Sequence, residues 1–258
     1  MTAQVTVVIP SFNQGNFLED AIKSVLAQRV NCELIIMDGG SSDESLQVIK
    51  KYEPYLHYWQ SEPDGGQANA INLGVAKGKA PYVCWLNSDD FFYPDMLSGL
   101  VSEAEKYPGA SFVYGRAWNV SQNKKKRNPY LSFAFNYTLL RNYCFICQPA
   151  TLIPRQHWQT ANGVDSKLNL AFDYDLWFRL YRLFGKPRYV REFIAANRMH
   201  QYTKTNNNLD AHYAESVAVV KQHTGSAPIK WFLMKPVMRC IRLLARFFRY
   251  FLQSNTVN

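Results

Sequence analysis

The sequence predicts an α/β fold with a largely parallel central sheet, helices on both faces and a basic amphipathic helix at its C-terminal end. Three observations carry that expectation. Short, β-branched apolar runs recur through the first ninety residues, an amphipathic helical pattern follows each, and a polar loop stands where each run stops.

Val5-Thr6-Val7-Val8-Ile9, ended by Pro10, reads as a strand buried on both faces. The polar loop Ser11 to Gly15 leads to a helix that Asn16 is placed to cap, with Glu19 at the reciprocal capping position. That helix runs to about Gln28 and gathers Phe17, Ala21, Ile22, Val25 and Leu26 on one stripe. A second strand spans Glu33 to Asp38, and a helix is expected from about Asp43 to Tyr52. Tyr58 to Ser61 gives a third strand, Gln67 to Ala76 a helix, and Pro81 to Leu86 a fourth strand. Pro94, near a first turn, opens a helix to about Tyr107. Beyond it the pattern loosens to a strand near Ser111–Val120, a basic run Lys124–Arg127, and a helix from about Asp173 to Phe184.

The 258 residues are 47% hydrophobic, 15% aromatic and 19% charged, which suits a sizeable core and argues against disorder. The net charge of +9 is unevenly placed: no Asp or Glu follows Glu215, whereas seven Lys and Arg do. The body is therefore nearly neutral, and a nucleic-acid partner, which asks for positive charge across a folded face, is not expected. The opening residues show no leader pattern, and no apolar run is long enough to span a bilayer. Cys144 and Cys147 form a CxxC without the second pair that a zinc site needs, so reduced, buried thiols are expected.

In open parallel sheets ligands sit beyond the carboxyl ends of the strands. That rule selects Ser11–Asn13, Asp38–Ser41, Glu62–Gln67 and Asn87–Asp90. Asp89 and Asp90 concentrate negative charge at a strand end, which is costly unless a cation offsets it. Hard carboxylate oxygens suit Mg2+ or Mn2+ bridging a diphosphate; a solvated acidic loop at a helix start reads equally well at this point.

The series VTVVIPSFNQGNFLEDAIKSVLAQ, ELIIMDGGSSDES and SEPDGGQANAINLGVAKGKAPYVCWLNSDD resembles the donor-binding half of glycosyltransferase family 2 across about residues 4–100. The resemblance implies a Rossmann-like GT-A fold and a nucleotide-diphospho-sugar donor, a UDP-sugar foremost. It divides the chain into a donor-binding half (1–100), an acceptor and catalytic-base half (101–215) and a basic aromatic tail (216–258). By it, Pro10, Ser11 and Asn13 line the nucleotide pocket, Asp38 accepts a hydrogen bond from the base, and Asp64 and Gln67 approach ribose, diphosphate or sugar. Asn87 stands where the family's acidic motif usually has Asp, so the metal falls to Asp89 and Asp90.

Asn169–Leu180 resembles the family's segment for the general base, with Asp173 at the base position and Phe172 where an acid is frequent. Asp173 and Asp175 are two apart and point in different directions on a helix, so Asp173 is expected to be the base and Asp175 a structural support. Helix-dipole complementarity is the other account of both. Cys147-Gln148-Pro149-Ala150 resembles a segment near the acceptor. His200, with Arg198 and Lys204, stands where related enzymes place groups touching metal or diphosphate; a satisfied polar histidine is the plainer account.

Arg239, Arg242, Arg246 and Arg249 recur on one helical face, with Leu243, Phe247, Tyr250 and Phe251 filling much of the rest. Such a helix fits the surface of an anionic membrane, or packs on the protein with its arginines in water. The expectation is an inverting transferase, cytoplasmic and peripheral at the inner face of the cell membrane, building cell-surface or lipid-linked glycan. A polyprenyl-phosphate sugar synthase and a non-catalytic nucleotide-sugar-binding module are the alternatives, the latter prompted by Asn87 and Phe172.

Overall fold

The computed structural model describes residues 2–201, 203–229 and 231. Its strands are β1 (Val5–Ser11), β2 (Cys32–Asp38), β3 (Tyr58–Ser61), β4 (Tyr82–Trp85), β5 (Phe91–Phe92), β6 (Val113–Ser121), β7 (Arg127–Pro129), β8 (Thr151–Pro154) and β9 (Arg188–Met199). Its helices are α1 (Gly15–Leu26), α2 (Ser45–Tyr52), α3 (Gln67–Lys77), α4 (Met96–Lys106), α5 (Tyr137–Leu140), α6 (Arg155–Thr160), α7 (Phe172–Phe184), α8 (Lys204–Asn207) and α9 (Leu209–Thr224).

The sheet runs β3-β2-β1-β4-β8-β6-β9-β5, with β7 paired to β6. The first four strands are parallel, as their strand–helix alternation predicts. Beyond β4 the sheet is mixed: β8 is antiparallel to both β4 and β6, whereas β9 runs parallel to β6. β1 is buried along its whole length, and its period of two divides the core. Val5, Val7 and Ile9 join Leu18, Ile22 and Leu97 on one face, and Val8 joins Ile71, Trp85 and Trp177 on the other. Burying each such aliphatic side chain stabilises the fold by about 1.5–3 kcal/mol. On α3, Gly74 lets the helix lie against β1, because a Cβ there would stand 2.5 Å from Val8 Cγ1.

Several local expectations are corrected. α1 begins at Gly15, and Asn16 is already helical, so the capping box is absent. Asp43, from the loop before α2, accepts the Gly15 N–H at 2.9 Å, and Glu19 instead pairs with Lys23, Lys51 and Tyr52. A Cβ on Gly15 would stand 2.5 Å from Glu44 Cγ, so the close approach of α2 decides the helix start. Pro94 lies just outside α4, whose N-cap Asp95 is left-handed at φ 60°. The basic run forms the β6–β7 turn, where Lys124 pairs with Asp20 at 2.7 Å and Arg127 lies over Trp118.

The expected division at residue 216 falls inside α9, whose Ser216, Val219 and Val220 are buried against the body. The division at residue 100 falls inside α4. The predicted amphipathic helix carrying Arg239 to Arg249 lies outside the described residues. No helix among the described residues is long and apolar enough to cross a membrane.

Candidate active site

The loops that follow β1 to β4 meet at one edge of the sheet and open onto a cavity of about 560 Å3. Pro10, Ser11, Asp64, Gln67, Asn87, Asp89 and Asp90 line one side of it, as the strand-end rule selects. Gln148, Asn169, Leu170, Phe172 and Asp173 close the other side, with Asn197, Thr203 and Lys204 at the end of β9.

Three expected residues stand apart from this lining, Asn13, Asp38 and His200. Asp38 is fully buried, and its carboxylate already receives the Ser41 hydroxyl at 2.6 Å, the Ser61 hydroxyl at 2.7 Å and the Ser41 N–H at 2.9 Å. It locks the turn after β2 to β3. Asn13, left-handed at φ 52°, accepts the Ser42 N–H at 2.9 Å and so ties the loop after β1 to that same turn. Asp38 and Asn13 thus hold loops whose Gly39 and Phe12 line the cavity.

The acidic loop is organised by partners from distant segments. Gln67 donates to Asn87 at 2.8 Å, and Asn87 donates to Asp90 at 3.1 Å. Asn87 at the place of the family's Asp thus links the DGGQ turn to the acid pair. The other Asp90 oxygen takes the Arg198 N–H at 2.8 Å. Burial, with the adjacent Asp89 charge, pushes the Asp90 carboxyl well above the usual carboxylate range. β5 follows the acid pair directly and β9 returns antiparallel beside it, which is why Arg198 arrives here. Arg198, only 3% exposed, donates to the Asp89 carbonyl at 2.7 Å, to the Gln122 carbonyl at 3.0 Å and to Asp20 at 2.8 Å.

Two residues further on, just past β9, His200 Nε2 lies 2.9 Å from Asp89 Oδ2, and its ring packs on Phe17 at 4.6 Å. Both Asp90 oxygens are thus bonded within the protein, and Asp89 pairs with His200. Among the described residues no three His, Cys, Asp or Glu side chains gather to hold an ion by themselves. Asp89 and Asp90 both reach the cavity, and one or two such carboxylates with phosphate oxygens and water suit a Mg2+-type ion, whereas the His200 side chain behind Asp89 is fully buried.

Across the cavity, Asp173 lies in the first turn of α7 and accepts the Tyr174 N–H at 2.7 Å through Oδ1. Burial raises its carboxyl to about 6. Asp175 faces away from the cavity. It receives His223 at 2.7 Å and Arg179 at 2.7 Å, and these outweigh the effect of burial and hold it below the usual carboxylate range. The environments of the two carboxyls are thus pushed in opposite directions, the pattern expected of one proton acceptor and one structural anion. Phe172 is buried, packs toward Trp85 at 6.3 Å and forms part of the cavity wall. Gln148 donates to the Trp85 carbonyl at 2.8 Å, which fixes the strand end beneath it. Sequence reasoning missed Gln14, Asp20 and Glu215. Each is an isolated polar residue on a helix or loop, and only its partner in space marks it.

Residues 6–159, more than half of the chain, match the family model of Glycosyl transferase family 2. The chain is 28% identical over 218 residues to an uncharacterized glycosyltransferase of Rickettsia prowazekii (strain Madrid E), covering 80% of this chain and 67% of that protein. It is 28% identical over 223 residues to the chondroitin synthase of Pasteurella multocida (strain Pm70), covering 84% of this chain and 23% of the synthase. The hyaluronan synthase of Pasteurella multocida is 27% identical over 233 residues, covering 88% of this chain and 24% of that enzyme. This chain therefore spans about a quarter of each synthase.

Among solved structures, S. aureus TarS 1-349 in complex with UDP-GlcNAc superposes with a TM-score of 0.68 at 12% identity, over 86% of this chain and 67% of that one. The mannosyltransferase PcManGT from Pyrobaculum calidifontis, in complex with GDP-Man and Mn2+, gives 0.63 at 16% identity, over 92% and 68%. At such identities the likeness is one of fold, and the fold is the GT-A type. Taken with the family model, it makes the chain a member of glycosyltransferase family 2.

Proposed function

We propose that this chain transfers a sugar from a nucleoside-diphosphate sugar, a UDP-sugar foremost, to an acceptor hydroxyl with inversion at the anomeric carbon. The observation that carries the reading is the pairing of two unlike walls in one cavity: Asp89 and Asp90 on the donor side, with the buried His200 behind Asp89, and the raised carboxyl of Asp173 on the other. Asp173 accepts the proton of the acceptor hydroxyl while that oxygen bonds to the anomeric carbon. The bond from that carbon to the phosphate oxygen breaks, and its electron pair leaves with the nucleoside diphosphate. One displacement from the opposite side inverts the configuration. Asp89 and Asp90, with His200 behind Asp89, would hold a divalent ion, Mn2+ or Mg2+, whose charge offsets that of the leaving diphosphate. Asn87, Gln67 and Arg198 keep the acidic loop in place for it.

Pro10, Ser11 and Asp64 bound the nucleotide side, and Phe172 with Leu170 shields the acceptor side from water. The acceptor is a growing glycan or lipid-linked glycan of the cell surface, and the basic tail brings the enzyme to the inner face of an anionic membrane. The charge asymmetry after Glu215 supports this location.

Calorimetry and nucleotide-release assays with UDP-, GDP- and TDP-sugars, with and without Mn2+, test the donor reading. Asp89→Ala is expected to weaken Mn2+-supported donor binding by about tenfold to a hundredfold, as loss of a ligand or its immediate support does. Absence of binding to every nucleotide sugar in the parent protein would overturn it.

A further inference from the structure

We propose that Glu215, on α9, is the positioning residue for the loop that presents Asp173 to the acceptor. The proposal rests on Asp173 being the base. One oxygen of Glu215 accepts three consecutive backbone N–H groups, from Asn169 at 2.9 Å, Leu170 at 2.8 Å and Ala171 at 2.8 Å. Three successive amides converging on one anion form a concave nest, a geometry that a neutral group fills poorly. Ala171 is the N-cap of α7 and has no side chain able to cap it, so the anchor for this helix start comes from another helix.

The anchored residues belong to the site: Asn169 and Leu170 line the cavity, followed directly by Phe172 and Asp173. α9 is itself fixed to α7, since His223 on α9 meets Asp175 on α7 at 2.7 Å and Val219 and Val220 are buried in the same core. Glu215 therefore joins a rigid helix pair to a polar loop. It lies beyond residues 6–159, the stretch that the family model matches.

The Glu215 charge also lifts the Asp173 carboxyl, after the larger effect of burial. Among the described residues, Tyr130, Cys144, Cys147 and Tyr174 also sense Asp173, and the cation Lys204, on the same cavity, feels Glu215. Removing the Glu215 charge while keeping its shape is thus expected to lower the pH at which Asp173 titrates.

The test uses the full chain with Glu215→Gln, Glu215→Ala and Asp173→Asn. In Glu215→Ala the amides of residues 169–171 should exchange at least about tenfold faster, while the α7 core keeps its protection. In Glu215→Gln the Asp173 carboxyl, followed by 13C NMR, should titrate at lower pH than in the parent. With UDP-GlcNAc as probe, nucleotide release in Glu215→Ala should fall by about a hundredfold with donor affinity changed less than about twofold, a split expected of a misplaced base. Unchanged exchange at 169–171, or an unmoved Asp173 titration in Glu215→Gln, overturns the proposal. So does an equal loss of donor affinity and turnover, the mark of a general structural effect. If Asp173→Asn retains turnover while exchange and titration respond as expected, the base assignment fails and Glu215 stands as the anchor of the loop alone.

Discussion

Replacing Asp173 by Asn should remove turnover and make the protein more stable at neutral pH. Burial holds the Asp173 carboxyl near 6, against an ordinary value of 3.8. Between those values the native state keeps a proton that the unfolded chain has released, so stability falls as pH rises through that window and levels off above it. Each pH unit weighs about 1.4 kcal/mol, so ionised Asp173 costs about 2–3 kcal/mol at pH 8. Asn carries no such cost, and its amide oxygen can still accept the Tyr174 N–H that Oδ1 receives at 2.7 Å. Urea unfolding of parent and variant at pH 3.5 and pH 8 measures the difference. The two should be nearly equal at the lower pH, with the variant about 2–3 kcal/mol more stable at the higher. Donor affinity should be unchanged, while parent turnover should rise through about pH 6 as the base ionises. An advantage of the same size at both pH values, or full turnover in the variant, would refute the assignment of a buried, functional base.

Arg198→Ala should cost about 3–5 kcal/mol in urea unfolding, because Asp20, the Asp89 carbonyl and the Gln122 carbonyl all lose a buried cationic donor. It should also weaken donor binding, since the acidic loop loses its brace; wild-type affinity in a folded variant would separate that loop from the donor. Gly74→Ala places a Cβ 2.5 Å from Val8 Cγ1 and should destabilise by about 1–3 kcal/mol without altering the pH dependence of turnover. Thermal and urea unfolding read the first effect, a pH–rate profile the second.

The first half of the fold was legible because its information is local. Unbroken apolar runs such as Val5–Ile9 mark strands covered on both faces, and of the expected α1 stripe Phe17, Ala21, Ile22 and Val25 are buried, whereas Leu26, in the last turn, is 41% exposed. Parallel pairing of four such strands places their following loops at one edge, so the loops along one wall of the cavity followed from pattern, though not which of their side chains face it. Asp173 and Asp175 were separable for the same reason, helical geometry, and the tertiary structure added what each meets: open cavity for one, His223 and Arg179 for the other.

What the sequence by itself determined was therefore the strand–helix alternation, the loops that carry polar chemistry and the uneven charge. The tertiary structure decided which polar groups touch. That Asp90 meets Arg198 and Asn87 while Asp89 meets His200 depends on β9 returning beside β5, across more than a hundred residues of chain. That Glu215 holds the loop before Asp173 depends on α9 folding back over α7. Apolar periodicity encodes burial along one segment, whereas a hydrogen bond needs two groups within about 3 Å in the right orientation, and that relation exists only once the chain has closed on itself.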